Sequence, residues 1–486
     1  MLASSLRLVA LSLALASSAA WPSDALRLTP CWLRGHPLAA RCGSIARPLD
    51  PGQPQGRQID IHFAVVPALA RHKATDPVLF FAGGPGQSAI ELAGALAGRF
   101  NRLGQRRDLV FVDQRGSGRS ASLKCVDDAE AAAWQPLPDD SQRLSRLSAC
   151  RQALQALPWG DLRHYTTAIA NADVEAVRAA LGAERINLVG FSYGTRVALD
   201  YQRQFPAHVR RTVLDGVVPP WMALTRTVSA DNQAALDKVF SDCEHSPTCL
   251  RRHPQLRAQW HKLMANLPRQ VTLVQPLSGA AQTVTLSRDA VLGLIRTPLY
   301  APAFAAALPL AIEAAAQGQF GPLLGLGSAL GGGSLATGMH FAVMCSEDAA
   351  TSTLPAAPAP AGADFGDSFA RLYASVCADW PRGAVAADFY TLPPAQTPVL
   401  LLSGGADPVT PPAHARAATQ ALGARATHVV VDHAGHGVLS LSCLREAAMR
   451  FIRAETDDEA LATPLDCAAQ VPAPLAFSLP TLATTP

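Results

Sequence analysis

Short runs of β-branched and aromatic residues recur along the chain and end in glycine-rich turns, the pattern of strands that deliver the chain into loops. Pro77 to Phe81 runs into Ala82-Gly83-Gly84-Pro85-Gly86, and Asp108 to Asp113 runs into Gln114-Arg115-Gly116-Ser117-Gly118. Between them an Ala/Leu-rich stretch near 88–103 predicts a helix. From Asn171 to Leu181, apolar positions at 172, 174, 177, 180 and 181 predict an amphipathic helix. A buried strand over Ile186–Gly190, a helix over about 193–204 and a strand at Thr212–Asp215 follow. Alternation of helices with continuously apolar strands predicts an α/β fold with a mostly parallel central sheet.

That alternation lapses from about 216 to 395. Helical pieces, a Gly-rich stretch (Leu324 to Gly333) and a Pro/Ala-rich linker (Leu354 to Ala363) fill the interval. Strand patterns resume at Pro398–Ser403 and His428–Asp432. The economical organisation is one sheet domain over 25–215 and 396–470, interrupted by an inserted helical domain over 216–395, with 471–486 as a Pro-rich tail.

The N-terminus adds a compartment. Residues 1–20 carry one charge, Arg7, then an apolar run from Leu8 to Ala16 and the small residues Ser17 to Ala20. This order is that of a secretory signal peptide, and the run falls short of the roughly 20 apolar residues of a membrane span. An exported protein, periplasmic or secreted, is expected. The ten cysteines agree, because an even count in an exported chain reads as disulfides. Pairing by sequence proximity joins Cys31–Cys42, Cys125–Cys150, Cys243–Cys249, Cys345–Cys377 and Cys443–Cys467. No Cys/His spacing resembles a zinc site.

Composition narrows the classes. Hydrophobic residues make up 49% and charged residues 16%, enough for a large core and against a disordered chain. The net charge is +3 with no basic block, so nothing resembles a nucleic-acid-binding face. No metal or organic cofactor is called for. A monomer is the default expectation.

Gly190-Phe191-Ser192-Tyr193-Gly194 fits a nucleophile elbow, G-x-S-x-G, between an apolar strand and a helix. The tight turn demands small residues at ±2, and Ser192 would stand at a helix N-terminus that favours developing negative charge. A serine nucleophile needs a base, and the base an orienting acid. Asp407, in Gly404 to Pro408, is the candidate acid, with a helix cap or turn role as its plain alternative. His436, between Gly435 and Gly437, is the candidate base. His433 is its rival, lacking glycine on both sides, and Asp432 is a lesser competitor for the acid. For the oxyanion, backbone N–H donors are expected from Tyr193 and from Gly84, with Gly83 as fallback.

Three segments carry a resemblance. Ala82 to Ser88, Asp113 to Ser120 and Gly190 to Thr195, in that order, look like the prolyl iminopeptidase and tripeptidyl aminopeptidase branch of the α/β-hydrolase superfamily, above all its exported tripeptidyl-aminopeptidase-like group. Ala82 departs from the histidine of the His-Gly-Gly-Pro-Gly form, a change that leaves a backbone oxyanion donor untouched. The resemblance implies an α/β-hydrolase core with an inserted cap, peptide substrates cleaved from a free N-terminus, and support for the five local disulfides. Relatives in this branch hold the substrate ammonium with acidic side chains. Met344-Cys345-Ser346-Glu347-Asp348 resembles such an acidic segment, so Glu347 is expected to bind the amine, with Asp348 as alternate. Asp113 and Arg115 are read as loop ties. Two other functions compete: a carboxylesterase or lipase-like hydrolase on the same machinery, and a binding protein that kept the fold without catalysis. An epoxide hydrolase or dehalogenase would need aspartate where Ser192 stands.

Overall fold

The computed structural model describes residues 26–126, 140–274, 279–329, 335–348, 363–475 and 477. The expected signal segment 1–20, nearly all of the 354–363 linker and most of the 471–486 tail lie outside them.

Eleven strands form in the described residues: β1 (Thr29–Cys31), β2 (Ala40–Pro48), β3 (Gln58–Val66), β4 (Val78–Phe81), β5 (Leu109–Val112), β6 (Ile186–Phe191), β7 (Val209–Asp215), β8 (Arg269–Val274), β9 (Ala281–Leu286), β10 (Val399–Gly404) and β11 (Ala426–Val431). Nine make one sheet in the order β1-β2-β3-β5-β4-β6-β7-β10-β11. From β5 to β11 every pairing is parallel; the β1–β2–β3 end is antiparallel and pairs β5 in that sense. The central parallel strands are covered on both faces, so β4, β5 and β10 are buried at every residue, which is why they read as uninterrupted apolar runs. The register puts Phe81 beside Gly190, Phe191 beside Asp215, and Asp215 beside Leu402, so the carboxyl ends of the strands share one edge. Loops leaving such an edge are where open α/β sheets bind ligands.

Helices Ala89–Arg99, Thr167–Ala180, Tyr193–Gln204, Pro412–Leu422 and Ser442–Arg453 flank the sheet. Ser88 caps the first of them, accepting the Glu91 N–H at 3.0 Å. The predicted 171–181 helix begins earlier, at Thr167, because Thr167, Ala170 and Asn171 bury against the core.

The stretch between β7 and β10 has two allegiances. Residues from Ala235 to Phe320 and Leu323 surround a hydrophobic cluster of their own. That part includes an antiparallel pair, β8 with β9, where the sequence suggested helical pieces alone. Helices Thr337–Val343 and Ser368–Asp379 instead pack into the main core, through Met339, Phe341, Leu372, Tyr373 and Val376. The five cysteine pairs expected from proximity are all bonded. Among the described residues, no helix is long and apolar enough to cross a membrane.

Candidate active site

β6 ends in Phe191, and the chain reverses at Ser192 into helix Tyr193–Gln204. Ser192 has φ 55° and ψ −125°, a conformation L-residues seldom adopt and which stores strain at functional turns. The flanking glycines are steric necessities. A Cβ on Gly190 would lie 2.5 Å from the Gly194 carbonyl oxygen, and one on Gly194 would strike the Phe81 and Ala82 carbonyls. Thr195 Oγ1 donates to the Ser192 carbonyl at 2.6 Å and accepts the Val218 N–H at 2.8 Å, bracing the turn.

Asp407 leaves the end of β10, and the loop after β11 carries His436. Asp407 Oδ2 lies 2.8 Å from His436 Nδ1. Asp407 Oδ1 accepts the N–H groups of Val409 and Thr410 at 2.9 and 2.8 Å, and the Thr410 hydroxyl donates to Oδ2 at 2.7 Å. Burial pushes the Asp407 carboxyl up, but the charge and hydrogen bond of His436 and those N–H groups outweigh it and hold the group below its ordinary value. Burial works against a charged His436 ring, yet Asp407, with Asp215 behind it, holds the imidazole above its ordinary value.

Ser192 and His436 line one cavity of about 970 Å³, between the sheet's carboxyl edge and the residues inserted after β7. Among the described residues no hydrogen bond joins the Ser192 hydroxyl to the imidazole. Catalytic contacts of this kind are often loose without substrate and tighten when it binds. Asp432 is exposed, and His433 lines a different cavity, beside Pro474 and Leu475. Gly83 and Gly84 both face the Ser192 cavity, but the Gly83 N–H already donates to Gln87 Oε1 at 3.1 Å.

The acidic pair separates. The helix Thr337–Val343 runs on into a π-helical turn, Met344–Asp348, of a kind frequent at functional sites. Glu347 is buried with Thr167 on both carboxylate oxygens, and its side chain does not line the cavity. Of the two acids expected at the amine, Glu347 thus keeps both oxygens on Thr167, with Arg196 3.5 Å from Oε2. Asp348, the alternate, does line the cavity, where it accepts from Arg196 at 2.8 Å and from the Leu224 N–H at 2.7 Å.

Asp113 and Arg115 tie different loops. Asp113 accepts from the Ser88 hydroxyl at 2.6 Å and the Ile90 N–H at 3.1 Å. Arg115 forks onto Asp173 at 2.7 and 2.9 Å and donates to the Leu49 and His164 carbonyls at 2.8 and 2.9 Å.

Three contributors escaped sequence reasoning. Tyr300 accepts the His436 backbone N–H on its carbonyl at 2.9 Å and sets its ring edge-on to the imidazole, 5.3 Å between centroids. Asp215 accepts the Val438 and Leu439 N–H groups at 2.8 Å each, fixing the loop just past His436. Thr410 touches both Asp407 and His436. Of the three, only Asp215 had a sequence signal: an acidic residue ending a buried strand.

Comparison with known sequences follows the same lines. The sequence family described as alpha/beta hydrolase fold matches residues 76–441. A tripeptidyl aminopeptidase of Streptomyces lividans is 32% identical over 195 residues, 38% of this chain and 36% of that protein. The serine protease Hip1 of Mycobacterium tuberculosis is 31% identical over 201 residues, 38% of this chain and 37% of that protein. A carboxylesterase B of the same species is 29% identical over 225 residues, 43% of each chain. The matches thus span less than half the length of these curated relatives.

Proposed function

The chain belongs to the alpha/beta hydrolase fold family, and from that membership we propose that it is an exported serine peptidase releasing residues, singly or as a tripeptide, from the free N-terminus of peptides. The observation that carries this reading is the 2.8 Å contact of Asp407 with His436, at the rim of a cavity shared with Ser192 on its strained elbow. Ser192 attacks the scissile carbonyl while His436 takes its proton through the ring nitrogen not bonded to Asp407. The same imidazole then protonates the leaving amine, and a water repeats the cycle on the acyl-enzyme. Asp407 holds the tautomer and stabilises the imidazolium. The backbone N–H groups of Tyr193 and Gly84 receive the oxyanion, and the Gly83 commitment to Gln87 favours Gly84 for the second donor.

In this reading the residues inserted after β7 form a cap over the reacting bond, and Asp348 pairs with the substrate ammonium. Five disulfides support export, since such bonds persist in oxidising compartments. An esterase reading has one specific support, the similarity to a protein named carboxylesterase B.

Two measurements test the proposal. A fluorophosphonate probe should label the protein and fail to label Ser192→Ala; equal labelling of both would refute a Ser192 nucleophile. Unblocked tripeptidyl and aminoacyl arylamides should be turned over with higher kcat/KM than N-blocked peptides. Turnover of short acyl esters alone would transfer the assignment to an esterase, and neither labelling nor turnover would leave a binding protein.

A further inference from the structure

We infer that Arg143 and Arg296 form an anion subsite in the Ser192 cavity, taking a carboxylate of the substrate. The inference rests on the peptidase reading above and adds a charge requirement to it. Both arginines line this cavity, and both also line a smaller pocket of about 130 Å³ that opens from it, so they stand at the junction of the two.

Arg296 belongs to helix Arg288–Leu299. Its guanidinium lies over the Phe369 ring, 5.3 Å from the centroid, and 6.0 Å from that of Tyr300. One terminal nitrogen donates to the Tyr300 hydroxyl at 3.2 Å, while the buried Nε–H has no partner. Among the described residues, no carboxylate lies within 4.0 Å of either Arg143 or Arg296. The acids lining the two pockets do not neutralise them: Asp348 pairs with Arg196 and the Leu224 N–H, and Asp289, in the side pocket, is exposed and forms no ion pair with either arginine.

Aromatic stacking fixes the plane of a guanidinium and leaves its edge donors free, the geometry that receives a carboxylate through two parallel bonds. Arg143 is exposed and keeps its water, whereas the half-buried Arg296 is partly withdrawn from water without a counter-charge, a cost that an arriving anion offsets. Of the other basic groups lining the cavity, Arg196 is paired with Asp348 and His436 with Asp407, and His340 adds no charge. His340 bonds the Tyr373 hydroxyl, and burial lowers its imidazole to about 4.

Two parts of a peptide could supply the carboxylate: its C-terminus or an Asp or Glu side chain. The test compares kcat/KM for one N-terminally free peptide as free acid and as C-terminal amide, and for a matched pair with Glu or Gln inside it. At least one pair should favour the carboxylate by about tenfold or more, and the favoured pair names the source. The ratio should fall towards one in Arg296→Gln and in Arg143→Gln, and recover partly in Arg296→Lys. Equal rates within both pairs, or a preference that survives both glutamine variants, would overturn the inference. Protection of Ser192 from the fluorophosphonate by the same peptides reads binding without cleavage. If no peptide is cleaved, the peptidase reading fails, yet stronger protection by carboxylate forms still upholds the subsite and equal protection refutes it.

Discussion

Glu347 Oε1 accepts the backbone N–H of Thr167 at 2.7 Å, and Oε2 takes the hydroxyl of the same residue at 3.0 Å. Of the adjacent acids Glu347 and Asp348, only Asp348 lines the cavity. Replacing Asp348 by Asn should raise KM for unblocked peptides well above the change seen with N-blocked esters. It should also lower stability, because Arg196 loses its nearest carboxylate and keeps only Glu347 at 3.5 Å. Glu347→Gln should leave the KM ratio of the two substrate types near its wild-type value. The reverse order, with Glu347→Gln the more damaging to amine recognition, would return the role to Glu347.

Glu347 carries a pH signature of its own. Burial pushes its carboxyl up to about 7, against the pull of Arg196 and Thr167. A carboxyl raised above its ordinary value contributes stability that is complete below that value and is lost as pH rises through the folded one. Here the window runs from 4.5 to about 7. Glutamine keeps the shape and never ionises. The Tm of Glu347→Gln relative to wild type should therefore climb between about pH 5 and pH 8. A pH-independent difference would contradict the assignment of a raised carboxyl.

The parts of this site that the sequence disclosed are those fixed by local geometry. Ser192 announces itself because Gly190 and Gly194 cannot carry a Cβ against the backbone they touch. Asp407 sits in a small-residue loop just past β10, which burial on both faces makes continuously apolar, and His436 lies between glycines past the half-buried edge strand β11, whose Val429 to Val431 run gives the signal. The antiparallel end was harder to read. Gln58 to Phe63 does alternate, but β2 mixes exposed and half-buried positions without a clean period. Glu347 and Asp348 differ by one step along a π-helical turn, and their directions depend on Thr167 and Arg196, more than 150 residues away. Tyr300 and Arg296 reach the cavity only through the way their helix packs, which no local pattern records.

The Cys345–Cys377 bond joins the π-helical turn to helix Ser368–Asp379, 32 residues apart in sequence. Closing a loop of that length restricts the unfolded chain by about 4 kcal/mol in the chain-entropy account. The turn it holds carries Asp348. Cys345→Ala with Cys377→Ala should therefore cost roughly 2–4 kcal/mol in denaturant unfolding, and should weaken recognition of free amines more than turnover of small esters. A double variant with wild-type stability would show that packing around Phe341 and Tyr373 suffices to hold the turn.

The sharpest prediction concerns the base. An imidazole accepts the serine proton only when neutral, so activity must fall as His436 becomes charged. Asp407 at 2.8 Å, aided by Asp215, outweighs burial and raises that transition above the ordinary 6.5. The acid limb of kcat/KM should accordingly lie above pH 6.5, with activity lost on its low-pH side. Asp407→Asn removes the negative partner and can stabilise the wrong tautomer. Its limb should move to lower pH, and kcat should drop on the order of 10⁴-fold. Asp215→Asn should move the limb the same way by less, since Asp215 acts on His436 without a hydrogen bond to it. An acid limb unmoved by Asp407→Asn would mean that some other group governs proton transfer.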